Sequence, residues 1–83
     1  MTSKEVNKLL RLRKAARAYL RDIDWQEDEL SVFNETITIQ GFDSTIFFLA
    51  DKYGKEKGWD KTSINNLYDH YITTIYDIAN IRD

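Results

Sequence analysis

The side chain best suited to proton chemistry in this 83-residue chain is its one histidine, His70. A general base needs a group to orient it and a nucleophile or substrate within reach. Asn66 and Thr74, a helical turn to either side, supply neither. His70 therefore reads as an exposed surface residue. A metal site needs two or three converging ligands, and His70 with Asp77 offers two at most, with no cysteine in the chain to complete a zinc motif. The glycines Gly41, Gly54 and Gly58 are isolated, so no phosphate-cradling loop or nucleophile elbow can be drawn through them. The pattern predicts a protein that is not an enzyme and that uses no cofactor, metal or small-molecule substrate.

Chemistry by charge is better represented. Residues 1–22 carry a net charge of +5 and the rest of the chain −7, against a total of −2. Lys4, Lys8, Arg11, Lys14 and Arg21 recur along one side of a predicted helix, the arrangement by which helices bind phosphates. These five residues are the candidate nucleic-acid interface. The other use of such a face is a solvated surface, partly neutralised by the acidic cluster that follows. No aromatic residue interleaves with the cations, so single-strand stacking has no platform there. A helix-turn-helix around Gly54 fails on charge, because its reader helix would carry Asp69 and Asp77 towards phosphates. Trp25 stands among carboxylates in Asp24-Trp25-Gln26-Glu27-Asp28-Glu29, the setting of an interface anchor. Trp25, Glu27, Asp28 and Glu29 are thus the candidate protein-binding residues. Trp25 has a second possible place, folded back over the open end of the core.

These groups must be positioned by elements that the apolar spacing predicts. Thr2-Ser3-Lys4-Glu5 has the form of a capping box. Behind it Val6, Leu9, Leu12, Ala16, Tyr19, Leu20 and Ile23 form one face of a helix ending near residues 22–24. Residues 30–39 scatter their apolar side chains when wound at 3.6 residues per turn. Folded as a hairpin about Asn34-Glu35, they bring Val32 opposite Ile37 and Leu30 opposite Ile39 on one apolar face. Phe42-Asp43, with Phe47, and Trp59-Asp60, with Ile64, each pair an aromatic with an aspartate cap and predict two further helix starts. The first of these helices, apolar nearly all round, should be the central element and end at Gly54 or Gly58. The last presents Ile64, Leu67, Tyr71, Ile75 and Ile78 to the core. The predicted fold is α+β: an N-terminal amphipathic helix, a β-hairpin, then two packed helices. The alternative is an all-α bundle of three or four helices.

Composition sets the frame. A hydrophobic content of 42% in 83 residues with eleven aromatics suits one compact domain over residues 1–83. The absence of cysteine, of an apolar N-terminal leader and of any membrane-length apolar run predicts a cytoplasmic protein with no membrane contact.

The stretch from Thr36 to Thr74 combines a strand, Phe42-Asp43-Ser44-Thr45-Ile46, Gly58-Trp59-Asp60 and a tyrosine-rich helix. It resembles the C-terminal half of small phage-encoded type II-A anti-CRISPR proteins, over about half of the chain. Those combine a helix, a small antiparallel sheet and two further helices, and the best-known are acidic DNA mimics that occupy a nuclease's DNA-binding cleft. The near-neutral charge and basic first helix depart from that pattern, so the resemblance carries over no functional residue. What it implies is a small phage-type inhibitor of a host nucleic-acid-acting enzyme. The functional expectation is a non-enzymatic protein-binding module, the alternative a small nucleic-acid-binding regulator using the basic first helix.

Overall fold

The computed structural model describes residues 2–23, 25–36 and 38–81, and among them every regular element is helical. Helix α1 spans Ser3–Asp22 and α2 Glu27–Leu30, continued by a 3₁₀ turn over Ser31–Glu35; α3 spans Ile39–Lys57 and α4 Lys61–Ile78. The α+β expectation is therefore corrected to an all-α fold, as in its bundle alternative. The strand expected at Thr36 is not present among the described residues, where Thr36 ends the 3₁₀ turn and Thr38 caps α3.

The correction has a physical cause in residues 30–36. A 3₁₀ turn has three residues per turn, so positions i and i+3 eclipse. Leu30, Phe33 and Thr36 follow that spacing and all three are buried. The strand period instead puts Phe33 on the opposite face from Leu30 and Thr36. Thr36 donates its hydroxyl to the Phe33 carbonyl at 2.8 Å, which satisfies a polar group that the core would otherwise penalise. The expected pairing of Val32 with Ile37 cannot be followed, since Ile37 lies outside the described residues. Leu30 and Ile39 are not cross-strand neighbours: Leu30 ends α2 and Ile39 begins α3.

Helix α3 starts five residues earlier than an Asp43 cap predicts. Thr38 is the cap, its hydroxyl accepting the Gly41 amide at 2.8 Å. Phe42 is consequently a fully buried core residue, its ring 5.5 Å from that of Phe33, and Asp43 lies inside the helix. The helix is also less apolar in its surroundings than expected, because Phe48 faces solvent at 60% exposure. Its end is set by Gly58, whose φ of 75° is left-handed and costs glycine little. The Trp59 amide then donates to Gly54 O at 2.8 Å and the Gly58 amide to Lys55 O at 3.2 Å, while the Trp59 ring packs edge-on at 5.4 Å against Tyr53. These are the paired bonds and apolar contact of a Schellman motif.

The other boundaries agree with the sequence. Glu5 donates its amide to the Thr2 hydroxyl at 3.2 Å at the start of α1. Asp60 caps α4 by accepting the Ser63 amide at 2.8 Å, and that bond lowers its pKa. Helices α3 and α4 form a tightly packed hairpin, α1 lies across it, and α2 with the 3₁₀ turn closes the gap beside α1 and α3. Phe33, Phe42, Leu12, Leu20, Ile46 and Ile75 are fully buried at the centre. No helix among the described residues is long and apolar enough to cross a membrane.

Candidate functional site

The buried stripe of α1, formed by Leu9, Leu12, Ala15, Ala16 and Leu20, turns its cations outward and to the flanks. On one flank Arg13, Arg17 and Arg21, a turn apart, hold the α2 segment. The Arg13 guanidinium donates to Asn34 O at 3.2 Å and that of Arg17 to Asn34 Oδ1 at 3.4 Å. Arg17 also lies 4.0 Å from Glu27, and Arg21 is ion-paired with Glu27. On the other flank Arg11 donates to the carbonyls of Ala79 and Asn80 at the end of α4. Those are orphan acceptors at the negative end of a helix dipole. Asn80 closes the helix with a left-handed φ of 57°.

The five cations expected to form one phosphate-binding face therefore have different roles. Arg11 and Arg21 are turned to groups in the chain, and Lys8 sits 5.7 Å above the centre of the Tyr76 ring. Lys4 and Lys14 have no hydrogen bond or ion pair among the described residues. Arg13 and Arg17 escaped the sequence reading, although Arg13, Arg17 and Arg21 follow one another at intervals of four.

The acidic cluster is likewise engaged. Glu27 meets the arginine flank, and Glu29 accepts from Lys52 at 2.6 Å. That lysine holds the Glu29 carboxyl below its ordinary range. Asp28 accepts the Glu29 amide at 3.1 Å, and Asp24 lies outside the described residues. Trp25 is half-buried and packs against the core, its indole N–H 3.4 Å from the Tyr71 hydroxyl. Its remaining edge lines a shallow groove with Ile23, Glu29, Lys52, Tyr53 and Glu56. The structure thus puts Trp25 and Glu29 together and sends Glu27 to a different face.

His70 is exposed, and among the described residues no three His, Cys, Asp or Glu side chains converge on a metal position. Asp43 and Tyr68, whose ionisation is perturbed, meet beside Tyr76. Burial raises the pKa of Asp43, against the opposing pull of a 3.4 Å bond from the Tyr76 hydroxyl and the charge of Lys8. Burial also raises Tyr68. This node joins α1, α3 and α4, and it works as a three-helix contact.

The outer face of α1 remains. Leu10 and Ile78 are each 52% exposed; Leu10 opens the low ridge that Lys14 and Ala18 continue along α1, and Ile78 stands across from it. One shallow depression runs along Leu10, Arg13, Lys14, Arg17, Ala18 and Arg21. A second, sharing Lys14 and Ala18, runs along Arg11, Ala15, Ile78 and Ala79. Leu10 could have been picked from the sequence, since it falls outside the apolar stripe of α1. Ile78 was assigned to the core stripe of α4 and is corrected to a surface residue: it ends the helix at the edge of that stripe, facing the small side chains of Ala15 and Ala18. Comparison with family models, curated proteins and solved structures finds no match to this chain.

Proposed function

We propose that this chain is a non-enzymatic protein-binding module that docks its partner through the outer face of α1. The observation that carries the reading is the pair of half-exposed aliphatics, Leu10 opening the ridge of Lys14 and Ala18 and Ile78 across from it, within a frame of cations. An apolar centre with a charged rim is the anatomy of a protein interface. Covering what remains exposed of the two side chains is worth about 1 kcal/mol each. A nucleic-acid backbone would use the face differently, because its affinity grows with the number of cations given to phosphates. Arg11, Arg13, Arg17 and Arg21 already bond within the molecule, which leaves Lys4 and Lys14 as the uncommitted charges. As a phage-type inhibitor the chain would act by covering an acidic surface of its target. Filling a DNA-binding cleft would require carboxylates on the docking face.

The test compares the wild type with a Leu10→Ser/Ile78→Ser double variant, immobilised and challenged with cell extract, beside a titration of random duplex DNA across a salt series. The reading expects a discrete protein retained by the wild type and lost by the variant at unchanged melting temperature. It also expects a DNA salt slope no steeper than about −2, from two free cations. Submicromolar duplex binding near physiological salt with a slope of about −5 would instead assign the face to nucleic acid through Lys4, Lys8, Arg11, Lys14 and Arg21.

A further inference from the structure

We infer that the partner segment seated on this face is an acidic amphipathic helix, an inference that rests on the docking role proposed above. The first support is shape. Leu10, Lys14 and Ala18 follow one another at single-turn intervals, so their ridge runs along the α1 axis for about 12 Å. Beside it Ala15 and Ala79 form a floor without bulk, and Ile78 rises from the end of α4 as the opposite wall. A straight, shallow trough between two helices, floored by alanines, admits the backbone of a third helix to close packing distance. That is the helix-in-groove mode of recognition, in which apolar anchors a turn apart enter the trough. Strand addition has no counterpart here, because the described residues offer no sheet edge.

The second support is charge. Lys14 stands on the ridge that borders the trough, without a partner among the described residues. Arg11 lines the same trough and keeps its charge, because its hydrogen bonds go to the neutral carbonyls of Ala79 and Asn80. A helix with Leu, Ile or Phe on one stripe and Glu or Asp on its flanks would place carboxylates against these cations as its apolar residues cover Leu10 and Ile78. A basic helix would bring like charges onto a segment with a net +5 over residues 1–22, and such juxtaposition is costly. An anionic lipid surface shares the charge but needs a broader apolar face. The long apolar stripe of α1 is already buried in the core.

The experiment is a titration of isotope-labelled protein, followed by the amide and methyl resonances of α1 and the end of α4. Three synthetic peptides of about 18 residues, long enough for five helical turns, serve as probes. One carries a leucine stripe with glutamate flanks, the second has the same composition scrambled, and the third keeps the stripe but has lysine flanks. The expected result is saturable shifts at Leu10, Lys14, Ala18 and Ile78 with the first peptide only. Lys14→Glu should weaken that binding about tenfold at unchanged melting temperature. Equal shifts with the lysine-flanked peptide would overturn the acidic partner but leave the docking face standing. Equal shifts with the scrambled peptide would overturn the helix and leave charge alone. If millimolar acidic helix moves no resonance on this face, both the inference and the docking role fall. Stronger perturbation by vesicles of anionic phospholipid than by the first peptide would transfer the face to a membrane surface.

Discussion

Gly54 offers the sharpest test of how α3 and α4 pack. It is a buried glycine inside α3, and a Cβ there would overlap Cγ1 of Ile64 and come within 3.0 Å of its Cδ1. In an ordinary helix interior Gly→Ala stabilises by about 1 kcal/mol, because glycine loses the most backbone entropy on folding. Against that gain stands an overpacking cost of about 1–3 kcal/mol. Ile64 is 5% exposed and β-branched, so its side chain has few alternative rotamers into which to retreat. Gly54→Ala should therefore leave stability unchanged or lower it by up to about 2 kcal/mol, with melting shifts of roughly 4–8 °C per kcal/mol for a domain of this size. In an Ile64→Ala background, itself costing about 2–5 kcal/mol, the new methyl enters vacated space and the helix-propensity gain returns. The double-mutant cycle should give a coupling of about 1–3 kcal/mol, equal to the overpacking cost. Urea unfolding at constant m-value supplies the four free energies. A gain of about 1 kcal/mol from Gly54→Ala in both backgrounds would show that the helices do not meet there and would refute the packing described.

Three further outcomes are expected. Phe33→Ala should cost about 3–5 kcal/mol, far more than Val32→Ala, because Phe33 is fully buried and Val32 only partly so; the reverse order in thermal melts would restore the hairpin. Asp43 has its folded pKa raised by burial above its ordinary 3.8, so the native state binds more protons than the unfolded chain between the two values and Asp43 favours folding as pH falls through that window. Asp43→Asn should then lose stability more steeply than the wild type on acidification towards pH 3.8, whereas parallel urea-unfolding curves across that range would contradict the burial. Arg11→Met, which keeps the aliphatic length and removes the donors, should cost about 1 kcal/mol and speed amide exchange at Ala79, Asn80 and Ile81; unchanged exchange there would show that Arg11 does not hold the end of α4.

The helices at the two ends of the chain were legible because their signals are local. A threonine cap with glutamate at its third position, an aspartate cap before Lys61 and a glycine after Lys57 each act within a turn, and α1, α4 and the end of α3 follow them. Residues 30–39 were read as a hairpin because Val32 and Ile39 fall away from Leu30, Phe33 and Ile37 at 3.6 residues per turn, whereas the 3₁₀ turn stacks Leu30, Phe33 and Thr36 at three residues per turn and ends before Ile39. Thr36 and Thr38 look like strand residues by β-branching, yet one is buried through its hydroxyl bond and the other caps α3. Phe42-Asp43 imitated a cap because nothing local distinguishes an aspartate before a helix from one inside it. For the site, the charge asymmetry was plain, but its internal use was not. Whether Arg13 and Arg17 reach Asn34 and Glu27 depends on how α2 folds back along α1, a long-range fact. Ile78 became part of the surface for a similar reason, since its cover depends on the size of Ala15 and Ala18 across the gap.

The claim that the outer face of α1 is the docking surface is tested most directly by site-specific photo-cross-linking in cell extract. A photoreactive amino acid in place of Leu10 samples that face, and one in place of Asn66 samples the exposed back of α4. The account predicts a discrete protein adduct from position 10, competed away by unlabelled wild type, and none from position 66. An adduct from position 66 with none from position 10 would contradict it.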